Sequence, residues 1–350
     1  MNKQELLNLL QPYGQEHLVK FWDDLSEQDR EHLRDEIQQL DLAELDVNFK
    51  RVKSQMSEQS KDIDSAIQPV PAELKGSYSK STEEQLKSYE LEGLKAIAGN
   101  QVGVLLLAGG QGTRLGVNYP KGMYSVDLLS GKTLYQLQAE RLIKLKKLAN
   151  KYFDPDLKQT SQSNNSIPWY IMTSEHTQES TISYFKSHNY FGLNGDNIIF
   201  FEQFMLPCFT MDGKIILDEK HKLSKAPDGN GGLYRALLKR KILDDMIKRG
   251  IKYLHIYCVD NILVKMADPV FIGFCIQKNA NCAAKVVKKI DPDEKVGVIC
   301  KVHDRFQVVE YSEISQVTRN LRDEDGELTY NAGNICNHFL NTEFLTELCR

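Results

Sequence analysis

The residues of this chain best suited to phosphate chemistry stand in one string, Leu105–Leu106–Leu107–Ala108–Gly109–Gly110–Gln111–Gly112–Thr113–Arg114–Leu115–Gly116, with Pro120–Lys121–Gly122 close behind. A buried strand that ends in three glycines within four residues lets backbone N–H groups approach an anionic or nucleobase ligand without interference from Cβ atoms. Arg114 then offers a planar fork for phosphate oxygens and Lys121 a flexible point charge, a pairing suited to a triphosphate and its leaving group. Two commoner glycine-rich loops do not fit. The G-x-x-x-x-G-K-[ST] loop needs a lysine where Val117 stands, and the dinucleotide fingerprint needs a glycine where Leu115 stands. A bare Gly-Gly at a strand end is as often only a tight turn, and the two cations weigh against that reading here.

Other candidates are weaker by themselves. Asp260 follows the β-rich run Tyr253–Val259 and precedes Asn261; an aspartate there is a turn or cap residue about as often as a cation ligand. Ala226–Pro227–Asp228–Gly229–Asn230–Gly231–Gly232 is by composition an ordinary turn, and Glu310 alone is a strand-surface charge. The eight histidines form no zinc-type spacing, and the seven cysteines include no C-x-x-C pair.

Elements of two kinds must position these groups. Up to about residue 100 apolar residues recur at helical spacing (Leu18, Phe21, Trp22, Leu25; Leu33, Ile37, Leu40), with Ser26–Asp29 a capping start, followed by a polar connector from Ser54 to Ser65. This predicts a helical N-terminal domain, 1–100, that packs or contacts a partner. From 101 onward short β-rich runs alternate with helical patterns, which predicts βαβ units and an α/β sheet sandwiched by helices. The strands are expected at Val102–Ala108, Trp169–Thr173, Ile198–Glu202, Tyr253–Val259 and Ala283–Val287. Helices are expected at Thr133–Phe153 (with Leu134, Leu137, Leu142, Leu145 and Leu148), Thr177–His188 and Gly232–Lys248. Cys300–Tyr311 reads as an antiparallel insertion, Met211–Lys214 as a hairpin turn, and Lys158–Ser166 as a polar loop.

With 350 residues, 41% hydrophobic and 26% charged, the chain is long enough for about two globular domains and is neither fibrous nor wholly disordered. The 44 basic and 48 acidic side chains give a net charge of -4, so nothing favours a nucleic-acid partner. The longest apolar stretch, Val102–Ala108, is too short to span a bilayer, and Met1 does not open a signal peptide. A cytoplasmic chain with reduced thiols and no membrane partner is expected.

The string Gly109–Gly116 with Pro120–Lys121–Gly122 resembles the signature of UDP-sugar pyrophosphorylases, and nearly the whole chain is similar to the eukaryotic UDP-N-acetylhexosamine pyrophosphorylase family. Matching strings include Tyr170–Ser174, Phe201–Glu202–Gln203, Ala226–Gly232, Tyr257–Asn261, Val296–Gly297–Val298, Val309–Glu310–Tyr311 and Asn331–Ile335. The resemblance implies a Rossmann-like, GT-A-like nucleotidyltransferase fold over 101–350, with a mixed, mostly parallel sheet. It implies that the backbone around Gly109 and Gly110, the Gln203 amide and the Gly229 backbone read the uracil, with Leu107 and Ala108 also binding substrate, the amide of Gln203 suiting an imide edge. Asn230, Gly297, Glu310 and Asn334 would face the N-acetylated sugar, Asp260 would hold Mg²⁺ (or Mn²⁺), and Arg114 and Lys121 would be catalytic. Cys336 lies two residues past Asn334; on an extended segment the two share a face, and the thiol would then border the sugar pocket, although most free cysteines are inert packing.

The reaction so implied is UTP + N-acetylglucosamine 1-phosphate ⇌ UDP-N-acetylglucosamine + pyrophosphate, with N-acetylgalactosamine 1-phosphate a second acceptor. The rivals are a UDP-sugar pyrophosphorylase acting on glucose 1-phosphate and a sugar-nucleotide-binding protein without turnover. Members of the family continue past the Asn334 segment into a small β-rich C-terminal domain, so the chain is expected to lack that part.

Overall fold

Val102–Leu107 is buried at every position, and such a run is stable only where both faces of a sheet are covered. It lies at the heart of a computed structural model that describes residues 1–58, 63–110, 112, 116–153 and 166–350. In chain order the strands are β1 (Ile67–Gln68), β2 (Val102–Leu107), β3 (Trp169–Thr173), β4 (Ile198–Glu202), β5 (Met205–Pro207), β6 (Leu217–Glu219), β7 (Lys222–Leu223), β8 (Lys225–Pro227), β9 (Tyr253–Cys258), β10 (Cys282–Lys288), β11 (Val298–Val302), β12 (Arg305–Val309) and β13 (Ala332–Asn341).

The described residues build a nine-stranded sheet in the order β1-β11-β13-β9-β2-β3-β4, with β10 paired to β13 and β12 to β11. Strands β9, β2, β3 and β4 are parallel neighbours. Beyond them β13 runs antiparallel to β9, and β11–β12 is the antiparallel hairpin that Cys300–Tyr311 suggested. The fold is thus a mixed α/β sheet between helices. Period-two alternation along β2 splits its side chains between two cores. Val104 and Leu106 join Trp169, Tyr257 and the helices Glu83–Ala98, Leu134–Phe153 and Pro269–Gln277; Leu105 and Leu107 join Met172, Ile256 and the helices Leu233–Lys239, Ile242–Lys248 and Thr342–Cys349.

The chain divides into two compact units, Met1–Ile63 with Met205–Asp228, and Asp64–Phe204 with Gly229–Arg350. That division differs from a boundary at residue 100. The helix Glu83–Ala98 belongs to the sheet unit, where Gly93 lies directly against the backbone of Pro269. In the other unit, Leu6, Leu10, Leu33 and Ile37 pack with Ile215 and Leu223 of the hairpin segment. There Gln15 bonds to both Gly213 and Ile215, while Glu36 accepts from the Leu223 N–H and pairs with Lys225.

Four local expectations need correction. Leu18–Leu25 forms two 3₁₀ turns, Glu16–Val19 and Trp22–Asp24, instead of one helix; Ser26 does cap the helix Glu27–Gln38. The polar connector from Ser54 is helical at first, since the helix Leu42–Glu58 runs into it. Gly232–Lys248 breaks at Lys241, whose φ of +58° is left-handed. The long helix buries Leu134, Ala139, Leu142, Lys146 and Ala149 on one stripe and leaves Leu148 off it, exposed; Lys146 turns inward to bond the carbonyls of Ile97 and Ala98 and the Asn100 side chain. Residues 158–165 of the expected loop lie outside the described residues.

Candidate active site

The carboxyl ends of β2, β3, β4 and β9 lie along one edge of the sheet, the place where open α/β sheets bind ligands. Just past them stand Gly109, Ser174, Gln203 and Asp260. Arg114 lies outside the described residues. The other expected residues gather in three groups.

The first group is Gly109, Gln203 and Gly229. The N–H of Ala108 is engaged by the Met172 carbonyl and the Leu107 carbonyl by the Val259 N–H, so these two buried residues are held by the sheet. Gly109 and Gly110 supply the first N–H groups without a partner among the described residues. Gln203, only 5% exposed, is fixed by its own N–H on the Thr173 carbonyl, and its Oε1 accepts the Gly229 N–H at 3.1 Å. Its amide lies directly over Gly109: a Cβ there would sit 2.0 Å from Gln203 Nε2. Gly229 has φ +79° and ψ −168°, a conformation essentially closed to residues with a side chain. It leads into the 3₁₀ turn Asn230–Gly232, with Asn230 exposed.

The second group is Gly110, Lys121 and Asp260. The Lys121 ammonium lies 3.9 Å from where a Gly110 Cβ would stand and pairs with both carboxylate oxygens of Asp260, at 2.9 and 3.0 Å. Thus the expected catalytic cation and the expected metal ligand touch each other. Among the described residues no three His, Cys, Asp or Glu side chains come together to hold a metal. A single carboxylate, 61% exposed, fits a Mg²⁺ that arrives on nucleotide phosphates, because Mg²⁺ commonly takes one or two carboxylates plus phosphate and water oxygens.

The third group is Gly297, Glu310 and Asn334. The Asn334 N–H donates to the Gly297 carbonyl at 2.8 Å, and a Cβ on Gly297 would meet Glu310 Oε1 at 3.1 Å, which brings three distant stretches of chain together. Glu310 is exposed, and its N–H donates to Glu313. The premise for Cys336 changes. Pairing of β13 with β10 steps from Asn334↔Val286 to His338↔Ala284, so β13 bulges, and Cys336 has φ +50°. Simple alternation therefore does not relate it to Asn334; instead its N–H donates to Asn334 Oδ1 at 3.1 Å. Its sulfur lies 3.0 Å from that of Cys258, whose thiol donates to it. This contact pushes the Cys336 thiol's pKa down and, together with burial, that of Cys258 up.

Sequence reasoning missed the cavity beside these groups. It is about 470 Å³, lined by Cys258, Asp260, Asn261, Lys285, Ile335 and Asn337 among others. Asn337 is positioned from below. The Ala267 N–H donates to His255 Nδ1, so Nε2 carries the proton and donates to Asn337 Oδ1 at 2.6 Å. Burial pushes the His255 pKa down to about 4, partly offset by the Asn337 bond. A histidine within the apolar run Tyr253–Cys258 was the available signal.

The family model described as UTP–glucose-1-phosphate uridylyltransferase matches residues 46–350. A Xenopus tropicalis protein named UDP-N-acetylhexosamine pyrophosphorylase-like protein 1 is 52% identical over 335 residues, covering 95% of this chain and 64% of its own length. The human protein of the same name is 49% identical, covering all of this chain and 68% of its own. A solved structure of the uridine diphosphate N-acetylglucosamine pyrophosphorylase from Trypanosoma brucei superposes with a TM-score of 0.83 at 29% identity. It covers all of this chain and 68% of its own. The chain therefore spans about two thirds of the length of these relatives.

Proposed function

The chain belongs to the UTP–glucose-1-phosphate uridylyltransferase family, and on that footing we propose that it transfers uridylyl from UTP to N-acetylglucosamine 1-phosphate, giving UDP-N-acetylglucosamine and pyrophosphate. The observation that carries this reading is the assembly of three chemically distinct groups at one sheet edge: amide and backbone donors, a placed cation, and a carboxylate with an amide. The names of the frog, human and trypanosome proteins support the N-acetylated sugar.

The sugar phosphate attacks the α-phosphorus in line and pyrophosphate leaves, so the chain needs no nucleophile of its own. Its work is positioning and neutralising charge. Gly109, Gly110, Gln203 and Gly229 hold the uracil through donors and acceptors that are fixed before it arrives. Lys121, with Arg114, takes up charge on the phosphates, and Asp260 keeps the Lys121 ammonium aimed while the site is empty. Asp260 would hold Mg²⁺ or Mn²⁺; when bound, the ion neutralises phosphate oxygens. Asn230, Gly297, Glu310 and Asn334 take the hydroxyls and acetamide, so sugars lacking the acetamide forgo those hydrogen bonds. N-acetylgalactosamine 1-phosphate is a second acceptor, and the reaction runs in the cytoplasm. No helix among the described residues is long and apolar enough to cross a membrane.

The reverse reaction tests this. UDP-N-acetylglucosamine with pyrophosphate and Mg²⁺ should yield UTP, and a folded chain that yields none refutes the proposal.

A further inference from the structure

Cys258 ends β9, and Cys336 sits in the bulge of β13. These antiparallel strands pair Tyr257 with Asn337, and Cys258 and Cys336 are the chain neighbours of that pair on the two strands. The left-handed backbone at Cys336 belongs to the bulge, and bulges re-aim side chains. Here the two sulfurs stand 3.0 Å apart, with both cysteines free. Cys258 also lines the 470 Å³ cavity, so a small solute reaches it.

We propose that Cys258 and Cys336 form a reversible intramolecular disulfide that closes down the candidate active site when hydrogen peroxide is present. In the first step one sulfur attacks the peroxide O–O bond, giving a sulfenic acid and water. In the second the other sulfur displaces the sulfenic oxygen, which leaves as water with the remaining thiol proton. The two thiols lose two electrons, the peroxide becomes two waters, and a dithiol reverses the bond by exchange.

Forming the bond brings the sulfurs from 3.0 Å to about 2.05 Å. Both ends of this movement carry site residues. Asp260 is two residues past Cys258 and paired with Lys121, and Asn334 holds the Cys336 N–H. A displacement of about 1 Å in a positioned group costs on the order of a hundredfold in rate. Oxidation should therefore lower turnover at least tenfold. That clause rests on the proposed function, whereas the disulfide does not.

The test treats the reduced full chain with hydrogen peroxide, blocks free thiols and maps peptides without reduction. A linked Cys258–Cys336 peptide, 2 Da lighter than the sum of its thiol parts, is expected. It should be lost after dithiothreitol and in Cys258→Ser, whose own activity should show no dithiothreitol-reversible fall. Separate alkylation of both cysteines after peroxide overturns the proposal. So does a linked peptide with unchanged turnover. If the reduced protein forms no UDP-sugar, the proposed function fails alone. Calorimetric affinity for UDP then replaces turnover, and an unchanged value on cross-linking overturns the switch.

Discussion

Gly109→Ala puts a methyl group 2.0 Å from Gln203 Nε2, 3.0 Å from its Cδ and 3.4 Å from the Thr173 carbonyl oxygen. A free glutamine would swing aside at little cost, but Gln203 is 5% exposed and holds the Gly229 N–H with its Oε1. Relief therefore means overpacking, about 1–3 kcal/mol, or loss of that bond, about 1 kcal/mol more. In either case the amide leaves the position from which, on the proposed function, it would read uracil. The expected result is destabilisation of about 2 kcal/mol in urea unfolding and a tenfold to hundredfold weaker Kd for UDP by calorimetry, at about 1.4 kcal/mol per tenfold. Trimming the obstacle should restore stability but not affinity, so Gly109→Ala with Gln203→Ala should be more stable than Gly109→Ala alone while still binding UDP weakly. An alanine at 109 with native stability and native UDP affinity would refute the geometry and the uracil assignment together.

Lys121→Ala should lower kcat by about a hundredfold to a thousandfold, the loss typical of one charge-stabilising donor, with melting little changed because Asp260 is 61% exposed and such pairs contribute under about 1 kcal/mol; steady-state kinetics with calorimetry decides. Gly273→Ala should destabilise the sheet unit by about 3 kcal/mol or more in urea, since the new Cβ would stand 1.8 Å from the backbone carbonyl of Tyr89, which cannot rotate away. Buried His255 stays neutral down to a pKa of about 4, whereas the unfolded chain takes up the proton below about 6.5. Its contribution is therefore full above pH 6.5 and lost as pH falls toward 4, about 3 kcal/mol in all; urea midpoints of wild type and His255→Gln that fall in parallel would contradict this.

The strands of the parallel half were legible because each is a short apolar run closed by polar or glycine residues; Trp169–Thr173 and Ile198–Glu202 match residue for residue. The places of Gly109 and Asp260, just past the ends of β2 and β9, were legible for the same reason, whereas Gln203 and Gly229 came from the family resemblance. What stayed hidden depends on partners distant in sequence. Lys146 faces inward only because three oxygen acceptors wait at Ile97, Ala98 and Asn100. The bulge at Cys336 follows from pairing with β10, and the His255–Asn337 bond from the register of β9 against β13. Nor does any local pattern tell that Met205–Asp228 packs with the N-terminal helices; that follows from long-range bonds such as Gln15 to Ile215.

The most direct measurement is pyrophosphate release from UTP and Mg²⁺ with N-acetylglucosamine, N-acetylgalactosamine or glucose 1-phosphate as acceptor. The account predicts rapid release with N-acetylglucosamine 1-phosphate, release with the galactose epimer, and far slower release with glucose 1-phosphate. Equal or faster release with glucose 1-phosphate would contradict the sugar assignment. Binding of UDP-N-acetylglucosamine without release from any acceptor would contradict uridylyl transfer itself.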